Sequence, residues 1–186
     1  MAVKTFTTGE VLTASDTNTY LNNGGLVYVT STAVGSGVSS VTVSNCFSST
    51  YSRYKIVMSD VVFSASAVVA WLSLSGITSL QYYSSVMYQL ATSATVNSGN
   101  VANSTAFYIG YTGNQHSVFE LDNFGPNSAV GKTGTTRFSS YDNTESFGGT
   151  GTVWSTSSAA TTGFSFFPAS GTMTGGTITV YGYRKA

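Results

Sequence analysis

From residue 26 onward the chain alternates apolar and polar positions, or gathers apolar residues into short runs rich in Val, Ile, Tyr, Phe and Thr. Both patterns mark β-strands. The segments are 26–30, 38–44, 54–63, 68–76, 81–90, 105–112, 116–124, 135–142, 152–157, 163–167 and 176–184. In "YKIVMSDVVF" strict alternation puts Ile56, Met58 and Asp60 on one face and Val57, Ser59 and Val61 on the other. In "VVAWLSLSG" it sets Trp71, Ser73 and Ser75 against Leu72 and Leu74. "NSGNVANST" (97–105) and "GKTGTT" (131–136) have no apolar period and read as exposed loops. Short, regularly spaced strands with no helices for parallel crossovers predict an all-β protein, an antiparallel β-sandwich of jelly-roll-like character.

The exception is "VLTASDTNTYLNNGG" (11–25), which reads as a short helix. Thr13 suits an N-cap, Asp16 places a carboxylate at the positive end of the dipole three residues on, and Gly24 and Gly25 suit the C-cap. Its apolar contacts are few, chiefly Ala14, Tyr20 and Leu21, with Val11 or Leu12 available as a staple. An isolated helix of that length is marginal in water. It must gain burial either from its own β domain or from another protein. The expected division is an N-terminal arm at 1–25 and a β domain at 26–186.

Composition changes the picture in one respect. Only 8% of the 186 residues are charged, and seven Lys+Arg balance seven Asp+Glu. A nucleic-acid binder needs a basic excess to displace phosphate counterions, so nucleic acid is not an expected partner. Tyr and Phe, at 12 and 11 residues, argue against disorder. The polar surface must be Ser, Thr, Asn and Gly, which suits a chain packed in an assembly. A single Cys46 forms no intrachain disulfide. "MAVKTFTTGE" has no secretory h-region, and no apolar run approaches membrane-spanning length. Synthesis in a cytoplasm without secretion is expected, with release by lysis.

Candidate chemistry is thin. His116 is the sole histidine, and no G-x-S-x-G elbow accompanies it. Glu120 and Asp122 share one strand face roughly 7 Å apart, a spacing compatible with glycoside hydrolysis but also with a solvated strand face. Asp122, Asp142 and Glu145 could serve a hard metal, yet no loop has the oxygen density of an EF-hand. "GKTGTT" lacks the spacing of a phosphate-binding loop. No enzyme activity, metal or cofactor is expected. Tyr82, Tyr83, Tyr88, Tyr108 and Tyr111 are too many hydroxylated rings for one core, so they are candidates for a subunit interface or a glycan platform.

The segment "TFTTGEVLTASDTNTYLNNGGLVYV" resembles the N-terminal segments of tailed-bacteriophage virion proteins. The pattern comprises Phe6, Gly9-Glu10, Val11 to Ala14, Asp16, and Asn18 to Leu21. The stretches "YSRYKIVMSDVVFSASAVVAWLSLSG" and "SGTMTGGTITVYGYRKA" are similar to the opening and closing strands of phage tail-associated β-sandwich domains. The resemblance spans under half the chain. It implies a non-enzymatic structural protein of the virion, a short tail or head fibre or a decoration protein, often a homotrimer. Its arm would dock to other virion proteins through Val11, Leu12, Thr13, Asp16, Tyr20 and Leu21. The alternative is a carbohydrate-binding module that recognises a host surface glycan. The two roles can coexist. No family catalytic residue carries over.

Overall fold

The computed structural model describes residues 7–11, 13 and 25–184. Among them the chain is all-β. Thirteen strands follow in order: β1 (Leu26–Ala33), β2 (Val41–Val43), β3 (Arg53–Phe63), β4 (Val69–Leu74), β5 (Tyr82–Leu90), β6 (Val96–Ser104), β7 (Phe107–Tyr111), β8 (His116–Phe124), β9 (Lys132–Tyr141), β10 (Ser146–Ser155), β11 (Phe164–Pro168), β12 (Met173–Thr174) and β13 (Thr177–Tyr183). They form two sheets. The wide sheet runs β1-β13-β3-β8-β9-β10-β5-β6, with β12 also paired to β3, and the narrow sheet runs β2-β11-β4-β7. All pairings are antiparallel.

The two sheets bury one core between them. Tyr54, Ile56, Met58, Phe119, Leu121 and Val180 enter it from the wide sheet, and Val43, Leu72, Phe107, Phe164 and Phe166 from the narrow one. Rings meet across the gap. Tyr82 packs edge-on to Phe107 with centroids 4.8 Å apart, and Phe166 lies 5.6 Å from Phe119 and 6.1 Å from Phe63. Fully burying one such side chain stabilises by roughly 1.5–3 kcal/mol, so the repeated apolar face of each strand is what selects this pairing of sheets.

Several strand readings need correction. Residues 97–105 and 131–136 are not loops; they belong largely to β6 and β9. In β3, Val61 is buried on the same face as Met58, and Asp60 is exposed. The register passes from Met58↔Phe119 to Val61↔Ser117, three residues on β3 against two on β8. Asp60, at φ 60°, is the extra residue of a β-bulge. The bulge shifts the phase of the alternation and sends Val61 and Phe63 inward. Strand β4 has no such insertion, and Leu72 and Leu74 point inward as expected, with Trp71 and Ser73 outward.

Strand β6 lacks large apolar residues because of what it covers. Gly99 lies over the ring of Tyr108, where an added Cβ would come within 2.6 Å of Cε1. The absence of a side chain lets the β6 backbone close over that ring.

Candidate functional site

The expected carboxylate pair exists as geometry and is already engaged. Glu120 and Asp122 project from the outer face of β8, half-buried. Lys55 Nζ on β3 lies 3.1 Å from Glu120 Oε2. On the other side Glu120 pairs in register with Arg137 of β9. Asp122 Oδ1 accepts hydrogen bonds from the Tyr183 hydroxyl and from the Asn123 amide, the latter at 2.8 Å. Burial first, and then the bond to Asp122 with the nearby carboxylate charges, push the Tyr183 hydroxyl up to about 12. Arg53 completes this face by donating to the Asn123 carbonyl at 3.2 Å and the Thr133 hydroxyl at 3.3 Å. The result is a ladder of charged and phenolic groups in which Lys55 pairs with Glu120 and Tyr183 with Asp122.

His116 lies at the opposite end of β8, exposed, with Nε2 3.3 Å from Asp60 Oδ1. The bulge that turns Asp60 outward makes this pair. Asp142 orders the β9–β10 turn. Its Oδ1 accepts from the Thr144 amide and hydroxyl and the Glu145 amide, and its Oδ2 accepts from the Ser66 hydroxyl at 2.6 Å. The Ser66 bond, then those from Thr144, hold this carboxyl well below the usual range. Glu145 accepts from the Thr92 hydroxyl. Among the described residues no group of three or more His, Cys, Asp or Glu side chains could hold a metal ion, and no helix is long and apolar enough to cross a membrane. Cys46 is buried, and desolvation pushes its thiol up to about 12.

The five-tyrosine platform divides three ways, and two of its members are corrected. Tyr82 is a core residue. Its hydroxyl accepts from the Leu74 amide at 2.9 Å and donates to the Ile77 carbonyl at 3.1 Å. Tyr108 is also buried, beneath Gly99 and against Trp71. Burial, and then the neighbouring Tyr111 hydroxyl, raise its pKa. Tyr88 and Tyr111 pack against each other with ring centroids 4.7 Å apart and planes tilted by 58°. With Ala67, Leu90 and Phe147 they line a shallow cavity of about 230 Å³.

Of these five tyrosines, Tyr83 is the one that projects from the outer face of the wide sheet. Its cross-strand partner there is Trp154, with ring centroids 4.7 Å apart and planes tilted by 36°. The two rings wall a groove of about 350 Å³ whose lining includes Ser85, Asn100, Ala102 and Thr152. Trp154, Asn100 and Thr152 are absent from the sequence-derived set. Their strands carry the reason: β6 read as a loop, so nothing could be placed opposite β5. The available signal was a tryptophan at the outward parity of "TVWSTS", opposite the buried Val153.

Of the arm residues, Val11 is exposed and Thr13 is non-helical. Ahead of them Thr7–Glu10 forms a turn, with the Glu10 amide donating to the Thr7 carbonyl and the Thr7 amide donating to the Glu10 carboxylate. Leu12, Asp16, Tyr20 and Leu21, and with them most of the expected helix, lie outside the described residues.

No protein-family model matches this chain, and no curated protein matches it.

Proposed function

We propose that the chain is a non-enzymatic structural protein of a tailed-bacteriophage virion, of the short-fibre or decoration type, with an N-terminal segment that docks to the particle and a jelly-roll-like β-sandwich that it displays. The observation that carries this reading is the surface. The domain has few charges, and several are spent on each other, as in Lys55–Glu120 and His116–Asp60. Leu26, Leu80, Val130 and Trp154 remain exposed. A free monomer gains solubility from charge, whereas a protomer in an assembly does not need it. The chain passes repeatedly between the two sheets, which supports the jelly-roll-like description. The resemblance of residues 5–29 to virion attachment segments supports the docking role, and a homotrimer is the expected assembly. The non-enzymatic part is supported by the engagement of Glu120 and Asp122 with Lys55 and Tyr183.

The test is deletion of residues 1–25. The truncated domain is expected to melt as the full chain does and to be lost from particles. Normal incorporation of the truncated chain overturns the docking role. Release of reducing ends from host polysaccharide, abolished by Glu120→Gln, overturns the non-enzymatic reading.

A further inference from the structure

We propose that the outer groove between β10, β5 and β6 binds a neutral pyranose sugar, stacked against Tyr83 and Trp154. The inference depends on the groove alone and not on the virion reading.

The wall is aromatic and held in place. Trp154 is 44% exposed and presents its ring beside Tyr83. The Tyr83 hydroxyl donates to Asn103 Oδ1 at 2.5 Å. Asn103 reaches that position through a second bulge. The β5–β6 register passes from Tyr82↔Ser104 to Ser84↔Val101, and Asn103 adopts φ 52°. Bulges commonly re-aim a side chain beside a site. On the far side of Trp154, Gly131 leaves room for the indole, since a Cβ there would come within 3.0 Å of Nε1.

The floor is polar and neutral. Thr152 and Ser85 face each other across β10 and β5, and Asn100 pairs with Ser85 from β6. Among the described residues the side chains of Ser85, Asn100 and Thr152 make no hydrogen bond to other protein groups. Each can both donate and accept. Among the described residues no charged side chain lines the groove. Its volume lies at the lower end of the range for small-ligand sites.

These features select a ligand class. A pyranose offers a C–H face that packs on an aromatic ring and a rim of hydroxyls that donate and accept. A phosphate or carboxylate ligand would find no cation in the lining. A purely apolar ligand would cover the hydroxyls and amide of the floor without replacing their water bonds.

The experiment titrates the full chain with methyl glycosides of glucose, galactose, mannose and N-acetylglucosamine, with glucuronic acid and inorganic phosphate as charged controls. Tryptophan emission and saturation-transfer NMR report binding. At least one neutral glycoside should saturate in the millimolar range, and the charged controls should not. Trp154→Ala should weaken binding tenfold or more and Asn100→Ala several-fold, while Trp71→Phe, on the narrow sheet, leaves it intact. Should Trp154→Ala fail to fold, Thr152→Val keeps the shape of the floor, removes one hydroxyl, and should weaken binding several-fold at unchanged melting temperature. The proposal is overturned if no neutral glycoside gives a saturable response, if glucuronic acid binds equally well, or if the response survives Trp154→Ala. It is also overturned if Trp154→Ala converts an oligomer to a monomer while no saccharide binds the wild type, which would assign the groove to a second copy of the chain. Loss of particle incorporation on deleting the arm bears on none of these outcomes.

Discussion

The outer face of the wide sheet is two surfaces. Across β13, β3, β8 and β9 it carries Tyr183, Lys55, Glu120, Asp122 and Arg137, and Lys55, Glu120, Asp122 and Tyr183 are engaged with one another. Across β10, β5 and β6 it carries Trp154, Thr152, Tyr83, Ser85 and Asn100, with no charge and with polar groups left open toward solvent. Both halves share the same backbone ladder and the same core beneath. The difference lies in where the polar valences point. A group already bonded sideways within the sheet has little left for a ligand, whereas hydroxyls and amides without protein partners keep their capacity. An ionic ladder therefore marks a finished surface, and a neutral one with ordered aromatics marks a receptive one.

The largest effect should come from beneath the neutral half. A Cβ on Gly149 would meet the Met87 carbonyl oxygen at 2.4 Å and Phe138 Cε1 at 2.6 Å, whereas on the outward Gly148 the nearest atom is 3.9 Å away. Gly149→Val should cost about 3 kcal/mol by overpacking, a fall of roughly 6–12 °C in Tm. Gly148→Ala should be close to neutral. Equal melting of the two variants, by calorimetry, would show that the halves do not share a rigid floor. Next comes neutrality itself. Thr152→Lys places a charge at an exposed floor position, and it should reduce neutral-glycoside affinity about tenfold, or about 1.4 kcal/mol, at unchanged Tm. Unchanged affinity would erase the distinction between the halves. In the charged half, a double-mutant cycle on Lys55 and Glu120 should give a coupling below about 1 kcal/mol, because both side chains are partly solvated. A coupling several times larger would make the ladder a stability element in its own right.

A separate effect is a pH response of the charged half. The Tyr183 pKa is raised from 10.0 to about 12 in the folded chain. The unfolded chain therefore loses this proton first as pH rises. The stabilisation is fully present below pH 10 and is lost between pH 10 and about 12. Urea midpoints at pH 9 and pH 11.5 should differ, and Tyr183→Phe should reduce that difference. Tyr82 and Tyr108 also have raised values, so part of the slope should remain. An unchanged slope would show that the Tyr183 hydroxyl does not keep this partly buried, hydrogen-bonded position in solution.

Much of the all-β architecture was legible because alternation survives wherever a strand is regular. β4 is such a strand, and its Leu72 and Leu74 fall on the core face as their spacing requires. Alternation fails at insertions. Nothing in "MSDVVF" announces that Asp60 takes a left-handed φ, yet that residue decides which of Val57 and Val61 is buried. Composition fails for β6, whose contribution to packing is the missing side chain of Gly99. Adjacent tyrosines illustrate the same limit. Tyr82 and Tyr83 are chemically identical in sequence, and strand parity alone puts one among core carbonyls and the other beside Trp154. The site was hidden for that reason: its wall and floor come from three strands, and one of them carries no periodic signal.

The position of β1 has a mechanical consequence. Among the described residues it forms the end of the wide sheet and is paired there only with β13, from Leu26↔Tyr183 to Ala33↔Thr177. The chain enters it at Gly25, whose carbonyl accepts from the Arg184 amide at 3.0 Å. A load pulling residue 25 away from the sheet breaks these bonds singly, starting from that end, so the strand unzips at low force. The same load directed along the strand must break them together. The domain thus resists tension from its N-terminal side according to direction, and single-molecule pulling along the two axes would read the ratio.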